Sequence, residues 1–252
     1  MNFQHKTVLI TGGSRGIGAT TALAFAQRGA RVAISYQSNA EGAAAVLATL
    51  PGTGHIMLQV NVGDPEAVKN LVDQVVAEFG RLDIVVNNAG IFAPHPIDEV
   101  DYATWQTAWQ DTLAVNLFGA ANVCYCAAQH MIQQGGGKIV NVSSRGAFRG
   151  EPEFPAYGAS KAALNAMSQS LAQKLGPHNI AVTVVAPGFV ETDMAKEALE
   201  GENGVAIRAQ SSMGRVAKPE EVAYGILFYA SDGAEFMTGG IMDINGASYL
   251  RS

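Results

Sequence analysis

Residues 11–18 read Thr-Gly-Gly-Ser-Arg-Gly-Ile-Gly, between an apolar run at 6–10 and an alanine-rich stretch, and no other segment constrains the fold as tightly. The run before it has the pattern of a buried strand, while Ile17, Thr20, Thr21, Ala24 and Phe25 after it fall at helical spacing. A strand that turns directly into a helix leaves the first helical N–H groups free, which suits them to a phosphate. Gly12, Gly16 and Gly18 let the backbone turn sharply and approach a pyrophosphate, since none carries a blocking side chain. The spacing G-x3-G-x-G differs from the usual dinucleotide fingerprint, so taken alone it leaves open a glycine-rich junction that binds nothing.

Further strand-like runs lie at 31–35, 55–60, 82–86, 138–142, 180–185 and 241–244, with helical stretches between them. Asp64 followed by Pro65 predicts a helix start, with Asp64 the cap, and Gly80 predicts its end. Lys218-Pro219-Glu220-Glu221 predicts another start before the apolar stretch 222–230. Seven strands in a β-α-β rhythm imply an α/β, Rossmann-type, doubly wound parallel sheet with right-handed crossovers and helices on both faces. A chain of 252 residues, 48% of them hydrophobic, suits one large core, and no repeat, low-complexity tract or Pro/Ser-rich linker divides it. Ligands of such sheets bind beyond the carboxyl ends of the strands.

The formal charge of −6 and a pI near 5.3 argue against a basic surface for nucleic acid or anionic lipid. Residues 1–5 lead into the first strand without a signal-peptide pattern, and no apolar segment reaches the roughly 20 residues that span a bilayer. A cytoplasmic protein is expected. Cys124 and Cys126 stand two apart in a helical stretch, on different faces, and are expected to fill core or groove. The five histidines are too scattered to suggest a metal.

Chemistry concentrates in three places. Tyr157 and Lys161 are four apart in a stretch of helical pattern, which puts both on one face. A phenol is too weak an acid for proton transfer at neutral pH, and an adjacent ammonium would lower its pKa; a plain surface pair is the alternative. Ser143 and Ser144 end the apolar run at 138–142, where a hydroxyl can meet a carbonyl oxygen or merely form a turn. Asn116, in a long helical stretch, can equally bond backbone or water within a kinked helix.

Together these segments closely resemble the short-chain dehydrogenase/reductase family over the whole chain. The resemblance rests on Thr11-Gly12-x3-Gly16-x-Gly18, Asn87-Asn88-Ala89-Gly90, Asn116, Ser144, Tyr157-x3-Lys161 and Pro187-Gly188-x3-Thr192, in family order. It implies one NAD(P)-binding domain over 1–252, with substrate loops at 91–101, 145–154 and 189–213. It also implies hydride transfer between NAD(P) and a carbonyl or alcohol. Ser144 would orient the carbonyl, Tyr157 would supply the proton, Lys161 would lower the Tyr157 pKa and bind the ribose, and Asn116 would hold a water linking Lys161 to solvent. The cofactor would meet Gly12, Ser14, Arg15, Gly16, Ile17 and Gly18, then Tyr36 and Ser38, then Asn88, Ala89 and Gly90. Pro187, Gly188, Val190 and Thr192 would fix the nicotinamide.

An NAD-selective pocket usually places a carboxylate at the end of the second strand, but this chain has Ser35-Tyr36-Gln37-Ser38, with Arg15 available for a 2′-phosphate. NADP(H) is therefore favoured. Where the family commonly has an acidic residue toward the adenine, this chain has Asn61 before Val62; Asn61 can still accept from the adenine amino group. The most similar members in style are 3-oxoacyl-(acyl-carrier-protein) reductases, whose carrier docks on basic helices. Residues 127–134 here contain no Lys or Arg, and 155–175 offers, besides the site residue Lys161, Lys174 alone, so that dock is not evident. A free ketone, a coenzyme A thioester or a sugar is the alternative substrate, and a non-catalytic NADP-binding module is the alternative class. Arg145 and Arg149 can bind an anionic substrate or simply be solvated. The 191–207 stretch is expected to act as a mobile lid, and Trp105 and Trp109 to pack against a neighbour. By resemblance, helices around 101–130 and 155–175 would build a homotetramer.

Overall fold

The computed structural model describes residues 1–251, apart from the side chain of Glu197. Seven strands form one parallel sheet: β1 (Thr7–Ile10), β2 (Arg31–Tyr36), β3 (Ile56–Gln59), β4 (Ile84–Asn87), β5 (Gly137–Val142), β6 (Ile180–Pro187) and β7 (Ile241–Ile244). Their order is β3-β2-β1-β4-β5-β6-β7, so the chain reverses direction across the sheet between β1 and β4. That is where a crevice opens in doubly wound sheets.

Among the described residues, ten α-helices connect and cover the strands: α1 (Gly16–Ala26), α2 (Ala40–Thr49), α3 (Pro65–Phe79), α4 (Tyr102–Leu113), α5 (Ala120–Gln134), α6 (Gly146–Arg149), α7 (Pro155–Leu175), α8 (Asp193–Glu200), α9 (Gly204–Ala209) and α10 (Pro219–Ala230). Alternation along each strand sorts the core into two layers. Val8, Ile10, Val32 and Ile34 pack with Phe25 of α1 and Val222 and Ile226 of α10. Leu9, Ala33, Val85 and Ile139 turn the other way, onto Val72 and Val75 of α3, Val123 and Met131 of α5 and Leu175 of α7. Burying each large aliphatic or aromatic side chain of this kind is worth about 1.5–3 kcal/mol. With both faces covered, the central strands are continuous apolar runs, as the sequence has them.

Local signals hold where side chains enforce them. Asp64 accepts from the N–H groups of Glu66 (3.0 Å) and Ala67 (3.2 Å), and Gly80 ends α3 at φ 79°. The fourth strand starts at Ile84, two residues later than its apolar run. There Asp83 instead brackets the neighbouring strand: its carboxylate takes the Thr7 N–H at 2.9 Å, and its own N–H bonds the Thr7 carbonyl at 3.1 Å. Between α4 and α5 the helix widens into a π-helical segment, Ala114–Gly119, which contains Asn116. The predicted lid is built as α8 and α9. Trp105 and Trp109 pack together with ring centroids 5.8 Å apart, and Trp105 also meets His95.

Candidate active site

A cavity of about 410 Å³ follows the carboxyl ends of the strands. At one end, β1 runs into a turn with Gly12 at φ 67° and Gly16 at φ 55°. A Cβ on Gly12 would lie 2.9 Å from Ala89 Cα, and one on Gly16 would lie 3.2 Å from Thr192 Cγ2, so backbone lines the cavity where a side chain would fill it. Asn88 holds this turn, its Nδ2 donating to the carbonyls of Thr11 and Gly12 at 3.0 Å each. In return Thr11 Oγ1 accepts from the N–H groups of Asn88 and Ala89. Helix α1 begins without a side-chain cap and without an acidic residue in its first turn. This cradle fits a pyrophosphate, drawn by free N–H groups and the positive end of the helix dipole.

Beyond the cradle, Tyr36, Gln37, Ser38 and Asn39 form part of the wall, which exposed Arg15 also lines. None is a carboxylate, so the wall fits a ribose carrying a 2′-phosphate. Val60 and Val62 supply the apolar surface for a base.

The reactive groups sit at the other end of the same cavity. Ser143 and Ser144 follow β5, and the Ser144 Oγ accepts from the Gly146 N–H at 3.0 Å. Tyr157 and Lys161 project from one face of α7, with Lys161 Nζ 5.7 Å from the phenol ring centroid. Lys161 is 4% exposed and donates to the Val142 carbonyl at 2.8 Å. Burial pushes its ammonium down to about 8. Burial pushes the Tyr157 phenol up, the Ser144 hydroxyl opposes that by favouring the anion, and the Glu151 carboxylate adds to it. In this arrangement the Lys161 ammonium is turned to the Val142 carbonyl, and burial is the largest cause of the shift in the phenol.

Three of the expected residues have a local structural role. Gly18 is not on the cavity wall; a Cβ there would lie 2.2 Å from the Gly12 carbonyl oxygen, so this glycine lets α1 pack under its own turn. Asn61 is exposed, outside the wall, and its Oδ1 accepts from the Gly63 N–H at 3.0 Å, leaving Val62 to face the base site. The Asn116 amide is 1% exposed and bonds the Ile91 backbone in both directions, at 2.8 and 3.0 Å, with a further bond to Ser160. Its side chain therefore fixes the turn at Gly90 and Ile91, the backbone reading of that residue. Ser14, Ile17, Ala89, Gly90, Pro187, Gly188, Val190 and Thr192 all line the cavity.

Residues that the sequence reading left unnamed complete the site. Phe92 stacks on Phe154 at 3.6 Å and meets Tyr157 edge-on at 4.7 Å, giving the reactive end an apolar wall. His95, fully buried, accepts from the Ala156 N–H at 3.1 Å while its Nδ1 bonds the Ala93 carbonyl, which ties the 91–101 loop to the start of α7. A lone histidine in a loop carries no periodic signal that would reveal this. Met194, Ala195 and Ala198 of α8 close the near side. Among the described residues no cluster of His, Cys, Asp or Glu is placed to hold a metal, and no helix is long and apolar enough to cross a membrane. Cys124 is buried, with its thiol pushed up to about 12, and Cys126 is only partly covered.

A parallel sheet with a glycine cradle at its crossover and a Ser-Tyr-Lys set at the same edge defines a nucleotide-linked oxidoreductase. The family model for enoyl-(acyl carrier protein) reductase matches residues 12–246. The chain is 39% identical to a 3-oxoacyl-(acyl-carrier-protein) reductase FabG of Thermotoga maritima, covering 98% of each. It is 37% identical to a D-threitol dehydrogenase of Mycolicibacterium smegmatis, over 98% of this chain and 94% of that one. A short-chain dehydrogenase of Burkholderia cenocepacia, solved in complex with NADP, superposes with a TM-score of 0.89 at 38% identity, over 98% of this chain and 99% of that one. The chain belongs to the short-chain dehydrogenase/reductase family. It is an oxidoreductase of alcohol and ketone groups.

Proposed function

We propose that the protein reduces a ketone with NADPH, using Ser144 to hold the carbonyl oxygen and Tyr157 to protonate it. The observation that carries this reading is that Ser144, Tyr157 and Lys161 line the same cavity as the glycine cradle. When bound, the nicotinamide supplies the hydride that adds to the carbonyl carbon. As negative charge grows on the oxygen, the Ser144 hydroxyl donates a hydrogen bond to it and the Tyr157 phenol gives up its proton. Both interactions strengthen toward the transition state, which is the difference that accelerates reaction. A phenol raised above its usual pKa keeps its proton until that charge arrives. The Lys161 ammonium, largely protonated at neutral pH, would hold the ribose and stabilise the phenolate left behind. Phe92 and α8 exclude water. In this reading Gly12 through Ile17, Asn88 through Gly90, and Pro187 through Thr192 hold the cofactor, and residues 1–252 work as one domain with loops 91–101, 145–154 and 189–213 around the substrate.

Arg15 and Ser38, in a wall without a carboxylate, support NADP(H), as does the NADP held by the Burkholderia neighbour. The FabG relatives make a 3-oxoacyl thioester the first substrate to try. Initial rates with NADPH and NADH, using one such thioester on coenzyme A and on acyl carrier protein, test the reading. At least tenfold preference for NADPH in kcat/KM is expected; preference for NADH would remove the 2′-phosphate assignment. Weak preference for the carrier-protein form is expected, since His130 on α5 is paired with Asp73 and no lysine or arginine stands near it on that helix. A polyol dehydrogenase is the second reading, favoured by the D-threitol dehydrogenase relative. A cytoplasmic homotetramer follows the family pattern. Exposed Phe118 and Tyr125 supply apolar surface for it, and light scattering would read four times 26.3 kDa; a monomer mass would exclude it.

A further inference from the structure

The reactive end of the cavity holds a charge that carbonyl reduction does not use. Arg145 follows Ser144 directly in the chain, is 3% exposed, and is anchored by its backbone N–H on the Pro187 carbonyl at 2.7 Å. Its guanidinium lies over the Phe189 ring, 5.3 Å from the centroid, and among the described residues it has neither an ion pair nor a side-chain hydrogen bond. Of the neighbouring cations, Arg149 bonds Gln210 at 3.0 Å, Arg215 pairs with Glu221 at 2.6 Å, Arg251 pairs with Asp243 at 2.7 Å, and Lys161 donates to the Val142 carbonyl at 2.8 Å. Glu151 lines the same cavity and senses Arg145, but stands beyond ion-pair distance of it. Locally, two guanidiniums therefore face one carboxylate whose own ionisation is opposed by burial.

A buried guanidinium carries five donors and is costly unless something accepts from them. Arg145 also borders a second cavity of about 200 Å³, which shares Phe189 with the first. That cavity is lined in part by Ser211, Asn245 and Ser248, and the buried Ser248 hydroxyl has no partner among the described residues. Polar groups thus continue from Ser144 through Arg145 into the second cavity, and of these the Arg145 guanidinium and the Ser248 hydroxyl have no side-chain partner among the described residues. A planar carboxylate matches the guanidinium fork and would satisfy it. An uncharged acyl chain would leave it buried and unpaired, and that penalty discriminates between substrates.

Resting on the reductase reading above, we infer that Arg145 selects ketones bearing a carboxylate within a few bonds of the reacting carbonyl, so that the substrate is a small oxo acid. NADPH oxidation by the whole protein would be followed with 2-oxobutanoate, acetoacetate and levulinate, each against its methyl ester. At least one acid should exceed its ester by about tenfold or more in kcat/KM, chiefly through KM. Arg145→Met should erase that ratio, and Arg145→Lys should keep part of it. Calorimetric titration with butanoate, which is not reduced, should show tighter binding than neutral butyramide, and the difference should vanish in Arg145→Met. Esters equal to or better than acids in the unmodified protein would overturn the inference while leaving the reductase reading in place, whatever the variants do. A preference for acids that survives in Arg145→Met would also overturn it. Failure of every ketone and thioester to oxidise NADPH would remove both readings together.

Discussion

Tyr157 and Lys161 share a helix face, yet burial drives them in opposite directions, the phenol up and the ammonium down to about 8. Each shift disfavours the charged form, as desolvation must. For reduction, the useful state is a protonated phenol beside a protonated ammonium. Lys161 is charged below its folded pKa and loses the proton as pH rises through about 8. Reduction, read as kcat/KM between pH 6 and 10, should therefore decline through that region; a flat profile to pH 10 would remove Lys161 from the mechanism. The same shift has a stability cost. Keeping the ammonium in the fold costs on the order of 3 kcal/mol below pH 8, a penalty relieved as pH climbs from about 8 toward the ordinary lysine value of 10.5. Such a cost, held at the reactive end of a cavity, is the usual mark of a residue kept for function.

At the level of elements, the glycine turn shows which parts of a site a sequence exposes. Gly12 and Gly16 take positive φ at the cavity wall, as their place between strand and helix implied. Gly18 has the same residue type but another job, because what its Cβ would strike is the turn itself. Gly18→Ala should lower stability by about 1–3 kcal/mol through overpacking and weaken NADPH binding. Gly176→Ala, at φ −51° with nothing within 4 Å, should leave both nearly unchanged. Thermal melts and NADPH fluorescence titration of the two variants check this, and equal behaviour would refute the packing role. Periodicity and caps located α3 to the residue, since Asp64 and Gly80 act within one helical turn. Partners distant in sequence were not legible. Asn116 bonds Ile91, His95 bonds Ala156, and Asn88 holds Thr11 and Gly12, and no local spacing encodes these contacts.

Across the whole molecule, seven parallel strands bring residues from every third of the chain to one edge. The fold was legible because the central strands, covered on both faces, must be apolar throughout, and helices of amphipathic pattern must separate them. The order of the cradle and the reactive groups along the chain was legible too. What the sequence left open was the state of the charges: whether Arg145 is solvated or buried, and which way the Tyr157 phenol shifts, depend on how far each lies from water. Carbonyl reduction at this edge is proposed to run through Tyr157. Its most direct test is Tyr157→Phe, with NADPH affinity and ketone turnover measured on the same preparation. NADPH binding within about threefold of the unmodified protein and turnover reduced by roughly 100-fold or more are expected for loss of a positioned proton donor. Turnover close to that of the unmodified protein, with NADPH still bound, would contradict that role.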